Sequence, residues 1–261
     1  MRGSTYSQEP PIPPTLTDIH HLLDQRYGCR NWWPGETCFE VVVGCILTQN
    51  TNWSNVEKAI LNLKQAEALH PTRILELDEA RLVEMIRPTG FFTQKPARLR
   101  RVSEWWIKRV GEIDLPLEEL PMDNTGGVLH VGRVARSLGM AESREAGAAF
   151  RQELLGLNGV GPETADAILL YAFGFPYFVV DAYKRRILSR VGVIPVSASY
   201  HQIQDLFHAV FPPDTPLYNN FHAQFIQLGK EYCRKQPRCT GCPLFSGCQA
   251  RQLSSMESQK K

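Results

Sequence analysis

LNGVGPETADAILLYAFGFPYFVVD, residues 157–181, is the stretch of the chain that decides the fold. Gly159-Val160-Gly161 predicts a tight hairpin, because glycine accepts left-handed backbone dihedrals and lets a ligand approach the main chain. Pro162 suits the first position of a helix, and apolar residues follow it at helical spacing: Ala165, Ile168, Leu169 and Ala172. Free N–H groups at such a helix start can bind phosphate whatever the base sequence, although an ordinary helical corner has the same pattern.

The aspartate at the end of this stretch is the candidate catalytic residue. The segment resembles the helix-hairpin-helix and aspartate loop of the endonuclease III superfamily of DNA glycosylases, with Leu157 to Gly161 on the family's Leu-x-Gly-Val-Gly and Asp181 on its aspartate. The resemblance implies that Asp181 stabilises the cationic sugar as the base leaves and helps to activate water. Asp181 also precedes the helical sequence AYKRRILSRV, so that an N-cap role is predicted as well.

Glu163 is where the sequence departs from part of that family. Bifunctional members carry a lysine two residues after the second hairpin glycine, and this position is Glu163 here. A carboxylate cannot form the Schiff base that strand cleavage requires, so the sequence predicts a monofunctional glycosylase. Lys184 is a conceivable substitute amine, but with Arg185 it is predicted to contact DNA phosphates.

Four cysteines near the C-terminus form a second, independent pattern, C-x5-C-x2-C-x5-C: Cys233, Cys239, Cys242 and Cys248. This spacing fits a zinc ribbon poorly, whereas a [4Fe–4S] cluster also takes four thiolates. It resembles the C-terminal cluster of endonuclease III and of adenine glycosylases, with one residue fewer in the first gap. A [4Fe–4S] cofactor of structural role is therefore predicted, with zinc next and disulfides last.

The resemblance also implies residues that fill the gap left by a flipped base. Gln49, in ILTQNTNW, aligns with the family's glutamine, and Phe91, in TGFFTQK, with its apolar wedge; Phe92 is an alternative. Such an amide can bond the orphaned base, and an aromatic wedge can replace the lost stacking. Without the alignment, Gln49 is equally well interpreted as a polar residue at a helix end, and Phe91 as a core contact.

Trp32-Trp33-Pro34 gives the best clue to the substrate, although adjacent tryptophans are more often packing anchors. They resemble the Trp-Trp-Pro of 3-methyladenine DNA glycosylase III, a monofunctional branch that also shares the pattern of residues 163–168. Electron-rich rings attract a cationic alkylated purine, and Tyr183 is a further candidate for this pocket. The branch lacks the four cluster cysteines, so oxidised pyrimidines and mismatched thymine or uracil stay open as substrates.

Composition narrows the remaining choices. A net charge of +2 over 261 residues gives no overall basic field, so any nucleic-acid surface must be local, with candidates at Lys95, Arg98, Arg100, Arg101 and at residues 184–186. No apolar run is long enough for a membrane span, and residues 1–15 lack the apolar core of a signal peptide. A monomeric cytoplasmic protein, associated with the nucleoid and acting on double-stranded DNA, is expected.

The predicted fold class is all-α, with two helical domains flanking a DNA-binding cleft. The resemblance implies a six-helix barrel carrying the helix-hairpin-helix at 29–175, and an iron–sulfur cluster domain made of 15–28 and 176–261. Residues 1–14 are predicted to be disordered, and 111–145 to be an insertion of low regularity. The predicted function is hydrolytic removal of a damaged base, with alkylated purines such as 3-methyladenine as the candidate substrates. The alternatives are a bifunctional glycosylase and lyase for oxidised pyrimidines, and a weakly catalytic damage-binding protein.

Overall fold

The computed structural model describes residues 11–30, 32–121 and 128–251, which are mostly helical and confirm the predicted all-α class. Most of the segment predicted to be disordered, 1–14, lies outside the described residues. The α-helices of the described part are α1 (Leu16–Tyr27), α2 (Cys38–Leu47), α3 (Trp53–Gln65), α4 (Pro71–Glu76), α5 (Glu79–Ile86), α6 (Lys95–Arg109), α7 (Val134–Ser137), α8 (Arg144–Gly156), α9 (Pro162–Ile168), α10 (Ala182–Val191), α11 (Tyr200–Val210) and α12 (Thr215–Glu231). No helix among these residues is long and apolar enough to cross a bilayer.

The chain forms two compact units. The larger unit consists of Cys29–Val179 and Pro212–Asn220, and the smaller unit of Met1–Gly28, Val180–Phe211 and Phe221–Lys261. The hairpin of Gly159 and Gly161 therefore belongs to the larger unit, whereas Asp181 and the four C-terminal cysteines belong to the smaller one.

Helix α2 is the centre of the larger unit. All ten residues of its sequence CFEVVVGCIL are buried, as expected for a helix that is apolar all round. It contacts α3, α6 and α9 together with the π-helical stretch Leu169–Phe173 that continues α9. Its one charged residue, Glu40, is paired with Lys64 of α3 at 3.0 Å, which makes burial of the carboxylate tolerable.

A two-stranded hairpin lies within the segment predicted to have low regularity. Strand β1 (Glu118–Pro121) runs antiparallel to β2 (Val128–Val131), with Glu118 opposite Val131. Gly132 follows β2, and its N–H donates to the carbonyl of Tyr171 at 2.9 Å. A Cβ at Gly132 would lie 2.2 Å from the Ala172 carbonyl oxygen, so that only glycine lets the hairpin approach the π-helical stretch this closely.

The smaller unit has an aromatic core. The rings of Phe207 and Phe211 are stacked, and the other contacts among Phe207, Phe211, Phe221 and Phe225 are edge to face or tilted. His20 of α1 contacts Phe211 and Phe221 edge to face. Helix α1 has Thr15 as its N-cap, and the side chains of Thr15 and Asp18 form a capping box. Helix α10 has Asp181 as its N-cap, as predicted, and Gly192 as its C-cap.

Candidate active site and nucleic-acid interface

The hairpin between α8 and α9 has the predicted shape. Gly159 has a φ of 91°, in the left-handed region that favours glycine. The Val160 side chain is buried and its N–H donates to the Leu157 carbonyl at 3.0 Å, which anchors the turn, while Gly161 is exposed and Pro162 occupies the first turn of α9. The turn thus exposes main chain at Gly161, in the segment from which a phosphate contact was predicted.

Gln49 is bonded directly to this hairpin. Its amide nitrogen donates to the Gly159 carbonyl and to the Thr164 hydroxyl, each at 2.9 Å, and its Oε1 accepts from the Arg98 guanidinium. The same guanidinium donates to Gln94 at 2.7 Å. Arg98 was predicted as part of a basic surface patch, and the structure uses it to connect the loop of Gln49 with the loop before α6.

Phe91 is presented to solvent on that second loop. Its side chain is 55% exposed, and its φ of 47° is unusual for a residue with a side chain. Phe92 is also exposed, with the Arg87 guanidinium over its ring at 5.4 Å. An exposed aromatic side chain in a constrained backbone suits a wedge that enters a base stack.

Lys95 does not belong to the surface patch predicted from the sequence. Its side chain is fully buried, and Nζ donates to the carbonyls of Leu47 and Thr89, each at 2.8 Å. Burial, and to a lesser extent the neighbouring charge of Arg98, lowers the pKa of Lys95 to about 8. Lys95 thus fastens the end of α2, which precedes Gln49, to the turn that precedes Phe91.

The paired tryptophans lie in a larger aromatic cluster than the sequence predicted. Trp33 is buried, and its ring contacts those of Trp32, Trp53 and Tyr171, with centroids 5.1–5.3 Å apart. The Trp53 ring is also 5.6 Å from that of Trp32. Trp53 was missed as a candidate, although it follows Gln49 closely in the sequence. A cavity of about 190 Å³ borders the cluster and is walled in part by Trp33, Trp53 and Gly44.

Glu163 is exposed on the first turn of α9. Burial raises the pKa of the Cys45 thiol, and the negative charge of Glu163 raises it further. The position that the sequence resemblance assigns to the family's lysine is thus an exposed carboxylate in this structure.

Asp181 is a buried carboxylate with cationic and polar partners. Its Oδ1 accepts from the Lys184 backbone N–H at 2.9 Å, which confirms the predicted N-cap of α10. Lys184 Nζ lies 3.3 Å from Oδ1, and His222 Nε2 lies 3.8 Å from Oδ2. Burial alone would raise the pKa of Asp181, but the charge of Lys184, the His222 ring and the capping bonds together hold it below its ordinary value of 3.8.

The neighbours of Asp181 on α10 are held by other parts of the smaller unit. Lys184 has no exposed surface, and its Nζ also bonds His222 Nδ1 at 2.9 Å, so the predicted phosphate contact at Lys184 is wrong. Arg185 is half-buried and donates to the Ala198 carbonyl. The Tyr183 ring packs against Gly229 of α12, where an added Cβ would lie 2.1 Å from the ring, and the Arg186 guanidinium is 5.0 Å from its centroid.

The four C-terminal cysteines line one cavity of the smaller unit, whose other walls include apolar residues of α10, α12 and the C-terminal loop. Burial raises the pKa of Cys242 to about 11 and also raises that of Cys248. The Arg190 guanidinium lies 3.5 Å from Cys233 Sγ. Within residues 11–30, 32–121 and 128–251, no three His, Cys, Asp or Glu side chains are close enough together to hold a metal ion as they stand.

A comparison with protein families decides the identity of this fold. The profile described as HhH-GPD superfamily base excision DNA repair protein matches residues 43–213, which contain the hairpin and Asp181. The chain belongs to the HhH-GPD superfamily. Within the superfamily it is an endonuclease III-like DNA repair glycosylase, as the sequence resemblance predicted.

Individual HhH-GPD proteins match nearly the whole chain. A protein of Methanocaldococcus jannaschii that bears the provisional name of DNA repair glycosylase is 42% identical over 230 residues, which are 88% of this chain and 94% of that one. The H. pylori 3-methyladenine DNA glycosylase structure has a TM-score of 0.63 and 25% identity, covering 84% of this chain and 98% of its own. Endonuclease III bound non-covalently to DNA has a TM-score of 0.69 and 18% identity, covering 91% and 95% of the two chains, and shows the shared fold.

Proposed function

We propose that this HhH-GPD protein is a monofunctional DNA glycosylase, which flips a damaged base out of duplex DNA and hydrolyses its bond to deoxyribose. The observation that carries the proposal is the combination, in one chain, of a buried, ionised Asp181 with an acidic residue, Glu163, at the position where a bifunctional enzyme needs its lysine. An alkylated purine such as 3-methyladenine is the proposed substrate class.

Asp181 supplies the charge that the reaction needs. As the base departs, the sugar becomes a cation, and a fixed carboxylate stabilises that charge without having to reorganise. The lowered pKa keeps Asp181 ionised at neutral pH, and its cap bond to α10 fixes its position. The same carboxylate can accept a proton from the attacking water. Both functions are compatible with the structural role of Asp181 as an N-cap.

The two positions considered for a nucleophilic amine support hydrolysis over strand cleavage. A covalent mechanism requires a neutral, accessible amine that attacks the sugar. Glu163 offers none, and Lys184, the conceivable substitute, is fully buried in bonds to Asp181 and His222. Water is therefore proposed as the nucleophile, and any strand breakage is expected to be weak.

The aromatic cluster supports the proposed substrate class. Alkylated purines such as 3-methyladenine are cationic, and the faces of tryptophan rings attract such cations while stacking on them. Trp32, Trp33 and Trp53 form three contacting rings in this chain. The similar H. pylori protein is a 3-methyladenine DNA glycosylase, and its structure is bound to 1,N6-ethenoadenine, which also fits a purine ligand.

Recognition of DNA is proposed for three features of the larger unit. The hairpin around Gly159 and Gly161 would contact the phosphate backbone through its N–H groups. Phe91 would enter the base stack, and Gln49 would bond the orphaned base once its amide exchanges the hairpin for DNA. The solved structure of endonuclease III with DNA supports DNA as the partner of this fold.

The cysteine cavity is proposed to hold a [4Fe–4S] cluster. The test of fit is the lining of one cavity by four thiol side chains, a donor set that suits iron–sulfur ligation: Cys233, Cys239, Cys242 and Cys248. Ligation needs these thiols as thiolates, which bound iron stabilises against the burial that now raises the pKa of Cys242 and Cys248. When bound, the cluster would hold the C-terminal loop in one conformation.

The proposal is tested by base release from a panel of duplexes, each assayed with and without alkali after the reaction. The panel contains methylated DNA, thymine glycol, uracil opposite guanine and thymine opposite guanine, with Asp181→Asn as the inactive control. Free 3-methyladenine, with breaks only after alkali, is the expected result. Breaks at thymine glycol without alkali, or borohydride trapping of a covalent adduct at Lys184, would overturn the monofunctional assignment. Tight binding of abasic DNA without base release, unchanged in Asp181→Asn, would instead identify a damage-binding protein.

A further inference from the structure

Two buried side chains face the two oxygens of the Asp181 carboxylate. Lys184 of α10 lies 3.3 Å from Oδ1, and His222 of α12 lies 3.8 Å from Oδ2. Lys184 is fully buried and His222 is 6% exposed. The Phe225 ring covers Lys184 with its centroid 5.7 Å from Nζ, and the Tyr200 hydroxyl of α11 accepts from the Val180 N–H next to Asp181. An N-cap needs only the backbone bond to Oδ1, so this arrangement goes beyond capping.

The bond between Lys184 and His222 fixes the chemistry of the histidine ring. Nζ and Nδ1 are 2.9 Å apart, and an ammonium group has donors and no acceptor. Nδ1 must therefore accept, which leaves the ring proton of a neutral His222 on Nε2. That nitrogen is the one that faces Asp181 Oδ2. Lys184 thereby orients the imidazole so that its N–H dipole points at the carboxylate.

We propose that Lys184 and His222 are positioning residues, which together fix the orientation and the ionisation of the Asp181 carboxylate. The proposal rests on the proposed role of Asp181 in base release. Lys184 supplies the positive charge that offsets burial, and His222 restrains the second oxygen, so that the carboxylate cannot rotate away from the sugar. Neither residue contacts the reacting atoms in this scheme.

The arrangement has a consequence for pH. A protonated His222 would have no acceptor for the Lys184 ammonium, and two cations would face each other at 2.9 Å. Protonation of the His222 ring would therefore break the arrangement while Asp181, whose pKa is held below its ordinary value, can still be ionised. The proposal thus predicts that protonation of the histidine, and not of the Asp181 carboxylate, ends base release at acid pH.

Two variants separate the contributions of the histidine and the lysine. His222→Gln keeps an acceptor for Lys184 and a donor for Asp181 but does not titrate, so the acid limb is expected at least one pH unit lower than in wild type. Lys184→Met removes the ammonium group that offsets the burial of Asp181, so Asp181 itself becomes the group that sets the limb, which is expected at least one pH unit higher than in His222→Gln, with a lower plateau rate. Superimposable profiles for the three proteins would overturn the proposal.

Nitrogen-15 NMR of the imidazole rings tests the geometry without catalysis. The chain has seven histidines, and the imidazole signal that disappears in His222→Gln is the signal of His222. The expected state of His222 at pH 7.5 is the Nε2–H tautomer, and Lys184→Met is expected to abolish that preference. An Nδ1–H tautomer would overturn the proposal even in an active enzyme. If the expected tautomer is found in a protein that releases no base, the described geometry is supported and the proposed function is refuted.

Discussion

Replacing Gly44 with alanine is expected to displace the Trp33 ring of the aromatic cluster while leaving every ring chemically unchanged. Gly44 lies inside α2, and a Cβ at this position would be 2.9 Å from Trp33 Cζ2 and 3.4 Å from two further ring atoms. Since ordinary contacts begin near 3.4 Å, the indole must move by about half an ångström. The rings of Trp32, Trp53 and Tyr171 contact Trp33 and oppose that movement.

Two effects of opposite sign decide the stability of Gly44→Ala. Alanine is favoured over glycine inside a helix by about 0.5–1 kcal/mol. Overpacking a filled core costs about 1–3 kcal/mol, and the buried Trp33 ring has little room to relax. The clash is therefore expected to win, with a net loss of about 1 kcal/mol. Because a displacement of about 1 Å can reduce a rate a hundredfold, release of 3-methyladenine is expected to fall about tenfold.

Denaturant unfolding and single-turnover base release measure the two consequences separately. Gly156→Ala is the matched control, because an added Cβ at the end of α8 meets nothing within 4 Å, and it should be as stable as wild type or slightly more stable. Wild-type stability and wild-type activity in Gly44→Ala would refute the close packing of the Trp33 ring against α2 at Gly44. A stability loss without any change in base release would refute the role of Trp33 in substrate binding.

Three further predictions follow from separate features. Phe91→Ala is expected to lower base release at least tenfold and to change the free energy of unfolding by less than about 1 kcal/mol, since the ring is 55% exposed; Ile113→Ala, 52% exposed, is the control that should retain activity. The pKa of Lys95 is about 8 in the folded state and has its ordinary value of 10.5 in the unfolded chain. Because the unfolded chain binds more protons between these pH values, the stability of wild type relative to Lys95→Met should rise with pH there, by at most ~3 kcal/mol. Unfolding midpoints at pH 7.5 and 9.5 measure this rise. Metal analysis of the purified protein is expected to find about four iron atoms per chain. The iron content should fall in Cys239→Ser and stay unchanged in the control Cys29→Ser, whereas zinc in place of iron would contradict the proposed cluster.

Local signals predicted the parts of this molecule that depend on neighbouring residues. The hairpin glycines, the Pro162 helix start and the Asp181 cap all lie within one continuous stretch, and each follows from backbone geometry that a few residues determine. Strand pairing between β1 and β2 was missed because four-residue strands give too short an alternation to recognise.

The roles of charged residues could not be predicted in this way. Lys184 and Lys95 have the sequence context of surface lysines, yet both are buried because distant parts of the chain supply acceptors. For Lys184 the partner is His222 on another helix, and for Lys95 it is a pair of carbonyls at the ends of other elements. Trp53 was missed for the same reason, because only the folded chain brings its ring against Trp33.

The attachment of two loops to one helix has a consequence for how fast a lesion can be tested. Lys95 and Arg98 of α6 hold the loop of Gln49 and the turn before Phe91 through backbone and side-chain bonds. Ordering a free loop costs about 1–2 kcal/mol of conformational entropy for each residue, and here that entropy is lost during folding instead of at each encounter with DNA. If Phe91 is the wedge proposed above, it would enter and leave the base stack without rearrangement of its loop. The time spent at each undamaged base pair would then be limited by unstacking of the duplex.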